Sequence, residues 1–244
     1  MTRIAVIDHG AGNLVSMEQA LRRVGADPQR IDAAADLSSF EGVVLPGVGA
    51  TGAAMRTMTT RGLTGSVLAY DGPLLGVCVG MQLLFDHSDE DANQCLGLIP
   101  GTVARLDATP LPHMGWNEVS ANDEPLLEGP EAGPFYFVHS YAVRPSDADV
   151  VTGTTQYESE SFASVVRSGR FTGVKFQPET SGDAGHAVLA NFVSTCADVR
   201  HVALAHKSVP RRRLRPGRQG HQIHKTDGRR RSCRHGSRVC RGRS

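Results

Sequence analysis

The sequence predicts an α/β domain with three layers, in which helices flank a mostly parallel sheet and antiparallel strands are added in the second half. Three short apolar runs each end at a turn that contains glycine, and helical repeats of apolar residues follow two of them. Buried parallel strands have continuous apolar sequences, and strands that alternate with helices form a sheet covered on both faces. For 244 residues, one such domain is the expected organisation.

The first half contains three segments with the sequence of buried strands, at residues 4–7, 43–45 and 74–77. Apolar residues at helical spacing predict one helix over residues 14–24 and another from residue 79. Ligands of parallel sheets bind beyond the carboxyl ends of the strands, where Asp8, Gly47 and Cys78 fall. We therefore expect the functional site at this edge of the sheet.

The second half has short strands separated by Pro, Gly, Asn and Asp, which predicts hairpins or an antiparallel extension. The predicted strands are residues 135–138, 162–166 and 172–176. Apolar residues between Val188 and Val193 recur at helical spacing and predict a last helix. The residues from Thr180 to Asp183 fit a capping box at the start of that helix.

The five cysteines are an odd number without close pairs in the first 200 residues, so neither a disulfide framework nor a Cys-x-x-Cys metal site is predicted. The chain begins with a strand instead of the basic region and apolar stretch of a signal peptide. No apolar run approaches the roughly 18 residues that a membrane span needs. We expect a soluble protein of the reducing cytoplasm, with no metal, no cofactor and no membrane contact.

One cysteine lies in a setting that predicts reactivity. Cys78 stands between Gly76 and Gly80 at a turn from strand to helix, the cysteine analogue of a Gly-x-Ser-x-Gly nucleophile elbow. Such a turn would expose the sulfur to solvent, and the start of a helix would lower the thiol pKa and offer N–H donors to an oxyanion. The alternative for a free cysteine is a structural role in the core, which we assign to Cys95 and Cys196.

The segment around this elbow, residues 76–82, resembles the nucleophile motif of class I glutamine amidotransferases, whose cysteine attacks the carboxamide of glutamine and releases ammonia. Together with it, four other segments resemble the glutaminase subunits of imidazole glycerol phosphate synthase. They are residues 8–13, 46–50, 112–117 and 135–141. The five segments occur in order and cover about residues 3–197, so the chain is identified by resemblance as a member of this family.

The resemblance implies a role for individual residues of the chain. Cys78 is the nucleophile, and the amide N–H of Val79 forms the oxyanion hole with the turn at Gly47 and Val48. The residues implied to hold L-glutamine are Gln82, Ser140 and Tyr141. The ammonia would pass to a cyclase subunit, the partner in a heterodimer, for imidazole glycerol phosphate synthesis in histidine biosynthesis. The region of His139 and Trp116 would lie near the docking face.

The family's general base is missing from this sequence. In place of the His-Pro-Glu tripeptide of the family, the chain has Gln177, Pro178 and Glu179, so that only the glutamate that orients the base is kept. A glutamine amide does not titrate near neutral pH and can neither take the thiol proton nor protonate departing ammonia. We expect glutamine hydrolysis to be lost or severely impaired, and Gln177→His to restore it. His139 is a weaker candidate for a substitute base.

The alternative function is therefore a catalytically impaired pseudo-glutaminase that binds and stabilises the cyclase subunit, which would then use free ammonia. Glutamine dependence of the assembled complex separates this alternative from an active glutaminase.

The charge of the chain is divided between a domain at residues 1–199 and a tail at residues 200–244. The domain has 11 Lys+Arg against 24 Asp+Glu, a net charge of −13, and the tail has 15 Lys+Arg against one acid, a net charge of +14. The tail lacks the apolar residues for a core, which predicts disorder. A basic arm can bind nucleic acid through phosphates. We favour translation past a frameshift as the origin of the tail, because the tail starts where a family member would end.

Overall fold

A computed structural model describes residues 1–121, 123–129 and 133–207, and for residues 200–207 it describes the backbone alone. Within these ranges the chain forms fourteen strands and five α-helices. The strands are β1 (Thr2–Ile7), β2 (Ala26–Ile31), β3 (Gly42–Leu45), β4 (Leu74–Val77), β5 (His87–Ser88), β6 (Asn93–Gln94), β7 (Gly101–Arg105), β8 (His113–Asn117), β9 (Ser120–Ala121), β10 (Phe135–His139), β11 (Tyr141–Pro145), β12 (Val151–Tyr157), β13 (Glu160–Ser168) and β14 (Phe171–Val174). The helices are α1 (Leu14–Arg23), α2 (Thr51–Thr60), α3 (Leu63–Leu68), α4 (Val79–Leu83) and α5 (Gly182–Lys207).

The largest sheet has eight strands in the order β2-β1-β3-β4-β14-β13-β12-β9. The first five strands in this order are parallel to one another. The other three, which lie between residues 120 and 168, continue the sheet in antiparallel pairs. The predicted fold class, a mostly parallel sheet with antiparallel additions, is confirmed.

The central strands are buried on both faces, as their continuous apolar sequences require. Every residue of β3 and β4 is buried, and so are the last four residues of β1. Among the helices, α1 packs against α5, and α2 packs against α3 and α4. The helix α1 turns Met17 and Leu21 into the core, one helical turn apart, and each buried side chain of this size contributes roughly 1.5–3 kcal/mol relative to exposure.

Two smaller sheets extend the domain beyond the main sheet. One has four strands in the order β11-β7-β5-β6, and the other is the antiparallel pair of β10 and β8. The strands β10 and β11 belong to different sheets and are separated by Ser140 alone. This change of sheet brings His139, Ser140 and Tyr141 into one cavity with Cys78.

The structure differs from the sequence-based prediction at both ends of the last helix. The helix α5 begins at Gly182, and Thr180 lies in a preceding 3₁₀ turn at Pro178–Thr180. The hydroxyls of Thr180 and Ser181 donate to the Gln177 carbonyl instead of capping the helix, so the predicted capping box is wrong. At its other end α5 continues past residue 199 to Lys207. The remainder of the predicted tail, residues 208–244, lies outside the described residues.

None of the helices in the described ranges combines the length and the apolar character of a membrane span.

Candidate active site

The predicted nucleophile lies at a sharp turn between β4 and α4. Cys78 has φ 53° and ψ −103°, a backbone conformation that residues other than glycine rarely adopt. Its amide N–H donates to the Val174 carbonyl of β14 at 2.8 Å, which ties the turn to the neighbouring parallel strand. A strained residue held in place by its surroundings is common at active sites, and here it marks the elbow that the sequence predicts.

The glycines beside Cys78 allow this turn to form. A Cβ added at Gly76 would lie 2.6 Å from the Gly80 carbonyl oxygen. A Cβ added at Gly80 would overlap the carbonyl oxygen of Leu45, at the end of β3. Both positions therefore require glycine because neighbouring backbone approaches them closely.

The surroundings of the sulfur differ from the prediction. Cys78 is 3% exposed, whereas the elbow was expected to present the sulfur to solvent. Burial raises the pKa of the Cys78 thiol, and the nearby Lys175 opposes this shift. The expectation of a lowered thiol pKa is therefore wrong. The helix α4 has only five residues, so its dipole does not outweigh the cost of burying a thiolate.

A lysine that the sequence analysis did not single out lies beside the sulfur. In the parallel register of β4 and β14, Val77 pairs with Val174, so the residues that follow them, Cys78 and Lys175, lie side by side. The Lys175 Nζ is 3.9 Å from the Cys78 Sγ and donates to the Gln82 Oε1 at 3.0 Å. Lys175 is 0% exposed, and burial lowers the pKa of its ammonium group, against the attraction of Cys78 and Glu90.

A cavity of about 50 Å³ adjoins Cys78. Four of the predicted glutamine-site residues line it together with the nucleophile, namely Val79, Gln82, Ser140 and Tyr141. The other lining residues were not predicted to hold glutamine and are Gly49, Glu90, Val138, His139 and Lys175. The predicted residues Gly47 and Val48 lie outside this lining. Gln82 is 3% exposed and is therefore not an ordinary surface residue.

The backbone donor predicted for the oxyanion hole is engaged in this structure. The N–H of Val79 donates to the carbonyl oxygen of Gly47 at 3.3 Å. An oxyanion at this place needs the same N–H, so the Gly47 carbonyl has to leave before Val79 can stabilise negative charge. The residues predicted to form the oxyanion hole are thus close together. The Gly47 carbonyl occupies the place where the oxyanion would bind.

The Gln177 and Glu179 side chains do not pair with each other. Gln177 is 4% exposed, and its backbone N–H donates to the Tyr136 carbonyl at 2.9 Å. Among the described residues, no hydrogen-bond partner is found for Gln177 Nε2 or for Glu179 Oε2. Burial raises the pKa of Glu179 to about 7. The carboxylate that the family uses to orient an imidazole is retained here, and its backbone hydrogen bond offsets only part of the cost of its burial.

Glu179→Gln is expected to stabilise the protein at pH 8 and to have little effect near pH 4. The raised pKa means that folded Glu179 binds a proton more tightly than unfolded Glu179, so stability falls as pH rises from about 4.3 to about 7. Glutamine resembles the protonated carboxyl and should remove this loss, which is on the order of 1–3 kcal/mol above pH 7. Urea unfolding at both pH values measures it.

Glu118→Gln, at an exposed position, controls for the loss of one negative charge. If Glu179→Gln changed the stability by the same amount at pH 4 and pH 8, folding would not raise the pKa of Glu179, against this account.

His139 lines the cavity, but hydrogen bonds occupy both of its ring nitrogens. Its Nδ1 lies 2.9 Å from the Tyr141 carbonyl and must donate to it, so its Nε2 accepts from the Nδ1 of His113 at 3.2 Å. His113 then accepts at Nε2 from the Asn117 amide at 3.4 Å. Burial lowers the pKa of His139 to about 2. Both ring nitrogens of His139 are therefore engaged in this chain of hydrogen bonds. The geometry does not support His139 as a substitute base.

The fold agrees with comparisons to known proteins. The family described as glutamine amidotransferase class-I matches residues 5–196. An imidazole glycerol phosphate synthase subunit HisH from Xanthomonas euvesicatoria pv. vesicatoria (strain 85-10) is 44% identical over 200 residues, 79% of this chain and 98% of the relative. The HisH subunit of Moorella thermoacetica (strain ATCC 39073 / JCM 9320) is 45% identical over 199 residues, 79% of this chain and 94% of the relative.

A solved structure supports the fold independently of close sequence similarity. The crystal structure of a GMP synthase subunit from Thermoplasma acidophilum matches with a TM-score of 0.66 at 19% identity, over 84% of this chain and 98% of that one. At this identity the likeness concerns the fold alone. Sequence and structure together lead to one assignment: the chain belongs to the class I glutamine amidotransferase family and, within it, to the HisH subunits of imidazole glycerol phosphate synthase.

Proposed function

We propose that this chain hydrolyses L-glutamine and delivers the ammonia to a cyclase subunit, with which it forms a heterodimer for imidazole glycerol phosphate synthesis in the cytoplasm. The observation that carries the proposal is the strained elbow at Cys78, which adjoins a cavity lined by Gln82, Ser140 and Tyr141. The names of the relatives, subunits of imidazole glycerol phosphate synthase, support the partner and the pathway, histidine biosynthesis.

In the proposed reaction, the Cys78 sulfur attacks the carboxamide carbon of glutamine. The oxyanion that forms would take the N–H of Val79 once the Gly47 carbonyl has moved away. The C–N bond then breaks, ammonia leaves, and a γ-glutamyl thioester remains on Cys78 until water hydrolyses it. Both halves of the reaction require a group that moves protons, and Gln177 cannot supply it.

The cyclase would dock on the face formed by β8 and β10. Trp116 and Met114 in β8 are 57% and 62% exposed, although large apolar side chains of this kind are usually covered. Trp116 packs edge to face on Tyr136 of β10, with ring centroids 5.9 Å apart. The same strand β10 continues to Ser140 at the cavity, so a partner on this face would lie close to the site of ammonia release.

A second candidate function is a pseudo-glutaminase that binds the cyclase without hydrolysing glutamine. The observation that favours it is the unpaired Gln177 amide at the position of the family's histidine. In that case the complex would make its product from free ammonia alone.

The nitrogen source of the assembled complex tests the proposal. The chain is mixed with the cyclase subunit of the same organism, and product formation is followed with glutamine or with ammonium as the nitrogen source. The proposal expects product from both sources. Product from ammonium alone, with no ammonia released from glutamine, would instead assign the chain to the pseudo-glutaminase function.

We also propose that residues 1–199 hold the glutaminase domain and that residues 200–244 take no part in glutamine hydrolysis. The family match ends at residue 196, before the basic segment begins, and this supports the boundary. Binding of nucleic acid by the tail is disfavoured, since crowded Arg, Gly, His and Ser fit translation past a frameshift better.

A further inference from the structure

Lys175 is an unusual lysine. It is the only lysine among residues 1–199, and its side chain is completely buried. Lysines are almost never fully buried unless a carboxylate pairs with them. In the part of the chain that the structure describes, the ion pairs do not include Lys175. A buried, unpaired cation is costly, so a specific role is needed to explain this side chain.

The contacts of the Lys175 amine direct it to the nucleophile. One N–H of Nζ donates to the Gln82 Oε1 at 3.0 Å, which fixes the end of the side chain. The Cys78 Sγ lies 3.9 Å from Nζ, a distance that a small movement of either side chain closes. Hydrogen bonds between catalytic groups are often long before substrate binds and shorten in the complex.

We propose that Lys175 is the general base and general acid for Cys78 and carries out the proton transfers that Gln177 cannot. This inference rests on the proposed function, the hydrolysis of glutamine at Cys78.

The proton follows a closed path in this scheme. The neutral Lys175 amine takes the proton of the Cys78 thiol while the sulfur forms its bond to the carboxamide carbon and the carbonyl electrons move to oxygen. The ammonium then gives that proton to the amide nitrogen, the C–N bond breaks, and ammonia leaves. In the second half, the amine takes a proton from the attacking water, and the ammonium returns it to the sulfur as the thioester C–S bond breaks.

The surroundings favour the protonation states that this path needs. Burial raises the pKa of the Cys78 thiol and lowers the pKa of the Lys175 ammonium, and both shifts are in the direction of a thiol beside a neutral amine. The other titratable groups near this pair are Glu90, His139 and Tyr141, which line the same cavity, and Glu179, which acts on Cys78. A lysine serves as a base when burial keeps it neutral, and lysine partners of serine nucleophiles are known.

The test compares glutamine hydrolysis by four forms of the chain, each assembled with the cyclase subunit. They are the wild type, Lys175→Met, Gln177→His, and the double variant Lys175→Met with Gln177→His. We expect Lys175→Met to lower the turnover number by about 100-fold. The double variant should regain turnover, because the histidine then supplies the base. Thermal unfolding verifies that each form is folded.

A second measurement is the pH dependence of glutamine turnover. For the wild type, turnover should fall with decreasing pH as the Lys175 amine becomes protonated, and Lys175→Met should lose this dependence. Lys175→Arg keeps the positive charge but cannot accept a proton near neutral pH, so it should be as slow as Lys175→Met. Full activity of Lys175→Arg would reduce Lys175 to an electrostatic role and overturn the inference.

The remaining outcomes also test the role of Lys175. Equal turnover of the wild type and Lys175→Met overturns the role of Lys175 but leaves the proposed function intact. Activity in Gln177→His combined with none in the wild type overturns the role of Lys175 and assigns the wild-type chain to the pseudo-glutaminase function. A double variant as slow as Lys175→Met would mean that Lys175 only supports the shape of the site, against this inference. Absence of glutamine hydrolysis in all forms would overturn the proposed function and the inference together.

Discussion

Gln177→His is expected to raise the turnover number for glutamine hydrolysis about 100-fold. A positioned general base contributes typically 10²–10⁴-fold, and we place the gain at the lower end because Lys175 already serves in part. The surroundings of Gln177 favour this substitution. Its side chain is buried, its amide nitrogen has no partner in the described residues, and its backbone is held by Tyr136 independently of the side chain. Glu179 Oε2 is likewise free to accept from an imidazole.

Gln177→Asn is the matched control, because it changes the side chain without adding a titratable group. The measurement is ammonia release from saturating glutamine in the assembled complex, for all three forms at several pH values. The histidine variant should follow the titration of an imidazole. No gain over the wild type would mean that position 177 does not reach the reacting atoms in this chain.

Gly80→Ala is expected to destabilise the fold strongly. A methyl group at this position would overlap the Leu45 carbonyl oxygen at the end of β3, and neither backbone can move easily. The strand β3 lies between β1 and β4 in the sheet, and α4 starts directly after the strained Cys78. Overpacking of a core costs typically 1–3 kcal/mol and more where backbone must shift, out of a total stability of about 5–15 kcal/mol. We therefore expect a loss of at least about 3 kcal/mol.

Gly65→Ala is the control of the same chemistry. Gly65 lies at an exposed position in α3, where an added Cβ meets no atom within 4 Å, and alanine should stabilise the helix by roughly 0.5–1 kcal/mol. Urea unfolding of both variants provides the measurement. An unfolding midpoint for Gly80→Ala equal to that of the wild type would show that the elbow has more room than the structure describes.

The sequence predicted the parts of the fold where one physical signal dominates. The continuous apolar runs in β1, β3 and β4 predicted buried parallel strands, and the spacing of apolar residues in α1 predicted its length to within one residue. By contrast, β2 was not predicted. Its sequence, Ala-Asp-Pro-Gln-Arg-Ile, is polar and contains Pro28, which an edge strand tolerates because one side of its backbone needs no partner.

The site was predicted less completely than the fold. Local sequence predicted the turn at Cys78, since the neighbouring glycines report a close approach of backbone. The burial of Cys78 depends on residues distant in sequence, including the carbonyl of Val138, which lies 3.9 Å from the sulfur. The contact of the Val79 N–H with Gly47 likewise depends on how two loops meet.

Lys175 is the most important site residue that was not predicted from the sequence. A signal was present, since it is the only lysine among residues 1–199 and follows an apolar strand. A single charge at the end of a strand can equally face solvent, however. Its role became visible only when the register of β14 with β4 brought it beside Cys78. Pairing between strands about 100 residues apart cannot be obtained from local periodicity.

The most direct test of the central claim, that Cys78 attacks glutamine, is to look for the covalent intermediate. The complex is mixed with carbon-labelled glutamine, quenched in acid at successive times and digested, and the label is located by peptide mass spectrometry. We expect a γ-glutamyl thioester on the peptide with Cys78 and none on the peptides with Cys95 or Cys196. Ammonia released from glutamine at an undiminished rate by Cys78→Ala, with no label on Cys78 in the wild type, would contradict the claim.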